Sequence, residues 1–179
     1  LRSFFRYLTS EGVIRPNPLW KKGSRQSRTM IPKTERKPPK ILDQKEVNDL
    51  LAISKVSDFS DKPKANAIQI RDTAILELLY ATGVRVSELS SLNLEDISLE
   101  HQRIKATGKG SKERQVIMGI PAQEALAHYI KIGRSVLSKK PNTKALFVNK
   151  FGARLSNRSI QSMVRRYGLQ ATHNRVHPH

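Results

Sequence analysis

Apolar residues Phe4, Phe5, Leu8 and Val13 recur at near-helical spacing, so the chain opens on the end of an amphipathic helix. From 15 to 39 the pattern dissolves into Pro, Gly, Ser and basic residues, and five of the nine prolines lie there. This stretch reads either as an extended linker crossing a phosphate backbone or as a solvated tether that orders on binding. Periodicity returns near Ile41. Asp43 and Glu46 make a start resembling a capping box, and Val47, Leu50 and Leu51 give a helix one apolar face. After a polar loop over 57–64, Ile68, Ile75, Leu78, Leu79 and Thr82 line one face of the most strongly patterned helix. Gly83 is placed to end it, and a short helix over 84–92 follows.

The period then changes. Residues 103–107 alternate, a turn-rich GKGSKE follows, and 115–118 is β-prone, which predicts a small hairpin with a glycine-flanked tip. Helix is expected again over about 122–137. A loop through Pro141 leads to the apolar run ALFV, and Ser156 caps a last basic helix to Tyr167. The fold class is therefore mainly α with a small antiparallel hairpin or sheet (α+β). No internal repeat is apparent.

Charge adds a partner to this picture. The 179 residues carry 33 Lys and Arg against 15 Asp and Glu, a net +18, which calls for a polyanion. Composition alone leaves a ribosomal or membrane-surface protein open, but the distribution is uneven. Residues 15–40 hold nine Lys/Arg and one acid, and 101–179 hold sixteen and two. Between them, 41–100 hold six and eleven. Two basic blocks flanking an acidic one suggest two surfaces gripping one polymer. There is no cysteine, which rules out disulfides and thiolate metal sites and fits a reducing, cytoplasmic setting. No apolar run approaches a membrane span, and the opening residues lack the features of a signal peptide. The chain begins inside a helical pattern without an initiating Met, and reads as a piece of something longer.

Three short segments could carry chemistry. In Ala81-Thr-Gly-Val-Arg-Val-Ser-Glu-Leu89, Gly83 breaks one helix and Arg85 falls at the start of the next. A guanidinium fixed there suits a phosphate, because its planar fork bonds in parallel and keeps its charge. Glu88 lies three residues on and can hold it; the plain alternative is a surface Arg–Glu pair. At the tip Gly108-Lys109-Gly110-Ser111-Lys112-Glu113-Arg114, the glycines let Lys109 approach another molecule closely, where a lysine can act as general acid. The alternative is a solvated turn. A phosphate loop is excluded by the missing G-x-x-x-x-G-K-[ST] and by the strand that follows. Last comes His177-Pro178-His179, with His173 nearby. A metal site lacks a nearby acid or cysteine, which leaves phosphate contact or proton movement.

In this order and spacing, the three segments strongly resemble the tyrosine recombinase/integrase family, and its bacterial Xer-type members in particular. The resemblance runs over essentially the whole chain. It implies a catalytic-domain fold over 41–179, preceded by the last helix of a core-binding domain over 1–20 and a basic interdomain linker over 21–40. It also implies catalytic roles for Arg85, Lys109 and His179, supported by Glu88 and His177. The family's second arginine belongs three residues after His179, followed by a further His or Trp and the nucleophilic tyrosine. Tyr7, Tyr80, Tyr129 and Tyr167 all precede His179, so none matches the nucleophile.

The implied chemistry is phosphoryl transfer without metal or other cofactor, through a 3′-phosphotyrosine. The implied partner is a double-stranded recombination site held by a tetramer on two sites, of one protein or with a sister recombinase. DNA contacts are expected from Lys112, Arg114, Arg25 and Arg28, and from Arg158, Gln161 and Arg165, which share a face of the last helix. Four readings stand side by side. They are chromosome dimer resolution, phage or transposon integration, a catalytically inert DNA-binding module, and a type IB topoisomerase, which fits the motif wording poorly.

Overall fold

The computed structural model describes residues 2–15, 42–55, 62–108, 110, 112–138 and 143–172. The chain divides into two units, Leu1–Lys40 and Ile41–His179. In the first, helix α1 (Arg2–Ser10) ends where Gly12 adopts φ +72°, and the Val13 N–H donates to the Leu8 carbonyl at 3.0 Å. Phe4, Tyr7 and Val13 are exposed.

The second unit is built around α3 (Pro63–Thr82). Proline in its first turn removes a donor that would otherwise be orphaned, and Gly83 closes it in the left-handed region at φ +59°. Helix α2 (Gln44–Lys55) packs on one side of α3. The rod formed by α5 (Ile120–His128), a π turn (Tyr129–Gly133) and α6 (Arg134–Leu137) packs on another. Because α3 is enclosed by several neighbours, burial is not confined to one stripe, and Arg71, Asp72 and Glu77 are buried along with Ala74, Ile75, Leu76 and Leu78. The single apolar face expected from the sequence understates this.

The rod was expected as one plain helix from about 122. It begins at Ile120 and is widened at its centre. A β-carbon on Gly133 would lie 2.9 Å from Tyr129 Cδ2 and 3.2 Å from the Ala67 carbonyl on α3, so the two helices cross at a point only glycine fits. Tyr129 is buried beneath this crossing. Its hydroxyl donates to the Leu146 carbonyl at 3.2 Å and accepts the Val148 N–H at 3.1 Å, and its ring stacks on Phe147. The run Ala145–Val148 is thereby buried without forming a strand of its own. Its ends make isolated bridges, Asn93 with Ala145 and Val148 with Arg154.

Helix α4 (Val86–Ser91) follows Gly83 directly. A three-stranded antiparallel sheet comes next, in the order β1 (Ile97–Ser98), β2 (Arg103–Thr107), β3 (Glu113–Ile117). On its inner face Ile104 lies opposite Val116, and Ala106 opposite Arg114. The chain ends its described course in α7 (Asn157–Thr172), which runs five residues beyond Tyr167. Ser156 caps it as expected, its Oγ accepting the Ser159 N–H at 3.2 Å. Ile160, Met163, Val164 and Tyr167 bury one face against α2 and α4.

Candidate active site

Arg85 occupies the N-cap of α4, with extended backbone. Three residues on, the Glu88 carboxylate turns back and accepts the Arg85 main-chain N–H at 2.9 Å and its Nη1 at 3.1 Å. The same carboxylate takes a bidentate pair from Arg114 on β3, at 2.8 Å from each guanidinium nitrogen. Glu88 is buried, while the Arg85 side chain is 66% exposed. Arg114 first, with the Arg85 main-chain donor, holds Glu88 down at about 2 against the opposing effect of burial. The trio thus carries two guanidiniums and one firmly ionised carboxylate, a net single positive charge. Apart from the Glu88 bonds, the Arg85 fork has no partner among the described residues.

The hairpin tip abuts this trio. The Gly108 N–H donates to the Lys112 carbonyl at 2.8 Å, closing the tip. A β-carbon at Gly108 would lie 3.2 Å from Glu88 Oε1. Gly110 adopts φ +77°, where glycine is needed for the backbone itself. Lys112 is exposed. Lys109 lies outside the described residues, as do His177, His179, Arg25 and Arg28.

Arg114, expected among the DNA contacts, makes a bidentate pair with Glu88 while 42% of its side chain remains exposed. Alternation along β3 carries the signal for this, since Arg114 lies on the same face as half-buried Val116 and so within reach of an acid beneath the sheet. The second basic block is divided in the same way. Arg134 bonds the Thr143 and Ala145 carbonyls at 2.7 and 3.0 Å. Arg154 bonds the Ser90 and Leu92 carbonyls, both at 2.9 Å, tying the end of α4 to the approach of α7. Arg166 reaches Asp72 on α3 at 2.9 Å. By contrast, Arg158, Gln161 and Arg165 lie together on the exposed face of α7 with no partner among the described residues.

Asp72 is the buried centre of a second network. Arg71 donates to its Oδ1 through Nε and Nη2, at 3.0 and 2.6 Å, and through Nη1 to the Val148 carbonyl at 3.0 Å. Burial pushes the Asp72 carboxyl above its ordinary range while Arg71, then Arg166, pull against it. Nothing in the sequence pattern singled this network out beyond the polar pair interrupting the helical stripe. Burial also raises the phenols of Tyr129 and Tyr167, and neither can ionise easily. Tyr80 is exposed on α3, with its hydroxyl shared with Gln44. Among the described residues no cluster of three or more His, Cys, Asp or Glu could hold a metal, and no helix is long and apolar enough to cross a membrane.

Residues 40–179 match the phage integrase family. The chain belongs to that family. Over its whole length it is 38% identical to the tyrosine recombinase XerC of Alcanivorax borkumensis, of which it covers 54%. It is 39% identical to XerC of Vibrio vulnificus, covering 51% of that protein. The chain therefore spans about half the length of the curated relatives it matches. The crystal structure of XerA recombinase superposes with a TM-score of 0.64 at 29% identity, over 79% of this chain and 47% of that one. XerH bound to palindromic difH substrate in a post-cleavage complex shares the fold, with a TM-score of 0.61 at 24% identity over 76% and 37% of the two chains. The architecture is that of a tyrosine recombinase catalytic domain, mainly helical with one small antiparallel sheet.

Proposed function

We propose that this chain supplies the phosphate-binding half of the active site of a site-specific DNA recombinase of the Xer type, acting in chromosome dimer resolution. The observation that carries the reading is the half-anchored state of Arg85. One nitrogen of its fork is fixed on a buried carboxylate, and the rest faces outward at a helix start. A surface pair would leave both partners solvated, whereas Glu88 is buried and doubly engaged. Relatives named XerC and XerA, and XerH bound to its difH substrate, support the same substrate class.

The chemistry follows from charge. A tyrosine oxygen attacks a DNA phosphorus, forming a P–O bond as the bond to the 5′-oxygen breaks. Lys109 gives that oxygen its proton, and His179 is the candidate to take the tyrosine proton and to bond the phosphate. Arg85 balances the negative charge that builds on the nonbridging oxygens, together with the family's second arginine. The free 5′-hydroxyl of the partner strand then reverses the step, so the strand is resealed with no net bond energy consumed. Arg158, Gln161 and Arg165 would face the major groove, with Lys112, Arg25 and Arg28 on phosphates. Assembly as a tetramer on two sites, of one protein or two, and work at the nucleoid in the cytoplasm belong to the same reading.

The test uses the whole protein on nicked suicide duplexes selected by binding from fragmented genomic DNA. A covalent protein–DNA band is expected, and Arg85→Ala should slow its formation by about 10²–10³ with binding largely kept. Binding without any adduct would leave an inert DNA-binding module instead. Adducts only at sites within a phage or transposon would make it an integrase of a mobile element.

A further inference from the structure

We propose that Arg114 is a positioning residue of the active site: through Glu88 it locks Arg85 to the root of the hairpin that bears Lys109. The proposal rests on the recombinase reading above and adds a role for a residue that the sequence placed on DNA.

Three observations meet at the same carboxylate. Each Glu88 oxygen is shared: Oε1 takes Arg114 Nη1 at 2.8 Å and Arg85 Nη1 at 3.1 Å, while Oε2 takes Arg114 Nη2 at 2.8 Å and the Arg85 main-chain N–H at 2.9 Å. The helix start and the hairpin are therefore joined by one planar group, with no slack for either to swing. Next, Arg114 stands opposite buried Ala106 on β3, and its guanidinium turns to Glu88 while 42% of the side chain stays exposed. Finally, Gly108, the neighbour of Lys109 in sequence, lies against the pair, and a β-carbon there would meet Glu88 Oε1 at 3.2 Å and Arg114 Nη1 at 3.6 Å. Its φ is outside the left-handed region, so space is the reason for glycine at this position, unlike Gly110.

Charge gives the lock a second effect. With Arg114 present, Glu88 is neutralised by two cations and the trio keeps a net positive charge for a phosphate. Without it, the buried carboxylate has Arg85 alone to pair with, and the hairpin root loses its tie to the start of α4. Only a planar fork can satisfy both oxygens at once, so lysine is a poor replacement.

The experiment compares two nicked suicide duplexes in single-turnover cleavage by the whole protein. One carries an ordinary phosphodiester and the other a sulfur in place of the departing 5′-oxygen. A thiolate leaves without a proton, so a defect in presenting the Lys109 proton is relieved on sulfur. Arg114→Gln should cleave the ordinary duplex about 10- to 100-fold more slowly, the scale expected for a misplaced catalytic group. It should recover much of that loss on the sulfur duplex and bind DNA within about threefold of wild type, the margin of a residue that touches no phosphate. Arg114→Lys, which keeps the charge and guards against a folding failure, should show the same pattern in weaker form. Equal slowing on both duplexes overturns the proposal, since it marks general damage to the fold. So does weakened binding with normal cleavage at saturating protein, which would return Arg114 to the phosphate contacts. A wild-type protein that leaves no adduct on either duplex removes the recombinase reading and this role with it.

Discussion

Arg166 on α7 and Asp72 on α3, ninety-four residues apart in sequence, meet through a 2.9 Å bond to a carboxylate whose other oxygen is already held by Arg71. The two arginines are not equivalent. Arg71 is buried with the acid, while the Arg166 side chain is 57% exposed. Asp72→Ala should therefore cost about 3–5 kcal/mol, because it strands a buried guanidinium. Arg166→Ala should cost about 1 kcal/mol or less, as for a solvated pair. Urea unfolding of both variants checks this, and equal losses would contradict the asymmetry.

The Glu88 site predicts an acid limb. Its carboxyl is depressed in the folded protein to about 2, below the ordinary value of 4.5. The stability this provides is complete above the ordinary value and is lost as pH falls from there toward the depressed one. Glu88→Gln removes that dependence, so the stability gap between wild type and variant should narrow steadily as pH falls through this window. Denaturant titrations at a series of pH values measure it; a gap that widens on acidification would reverse the sign.

Gly133 tests the helix crossing. Gly133→Ala should destabilise by about 1–3 kcal/mol, as overpacking does, because the new methyl meets Tyr129 and the Ala67 carbonyl together. Shortening Tyr129 in the same chain should relieve only the ring contact, leaving the carbonyl clash. A neutral or stabilising alanine, read from thermal melts, would show that the two helices can part.

On α7 the expected losses differ in kind. Arg158→Ala and Arg165→Ala, if each meets a phosphate, should weaken binding on every sequence and lower the slope of log Kd against log salt by about 1 each. Gln161→Ala should instead relax preference at one base pair, by about 1–3 kcal/mol of discrimination. Anisotropy titrations on selected and scrambled duplexes at several salt concentrations separate the two.

The elements were legible in the sequence wherever one principle governs them. Gly83 ends α3, Ser156 caps α7, and the glycine-flanked turn makes a hairpin because local chemistry decides each of these. Arg85 and Glu88 were legible together because three residues of helix bring them to one face. Partners distant in sequence were not. Arg114 with Glu88, Asp72 with Arg166 and Arg154 with the end of α4 depend on how the elements pack, and of these arginines the sequence singled out only Arg114, as a DNA contact. The π turn escaped for a similar reason, since it reflects how close α3 comes to Gly133 and no pattern within the rod announces that approach.

The adjacent arginines of α7 have opposite duties, Arg165 outward and Arg166 inward to Asp72. The rotation of the helix is set by its buried apolar face, and the two arginines fall on either side of that boundary. Its outward face cannot be turned to present a different row of side chains without exposing Ile160, Met163, Val164 and Tyr167, which are buried on the other side. If that face meets DNA as proposed, new preferences in descendants of this protein should arise by exchanging residues at 158, 161 and 165, and seldom by insertions or deletions within the helix.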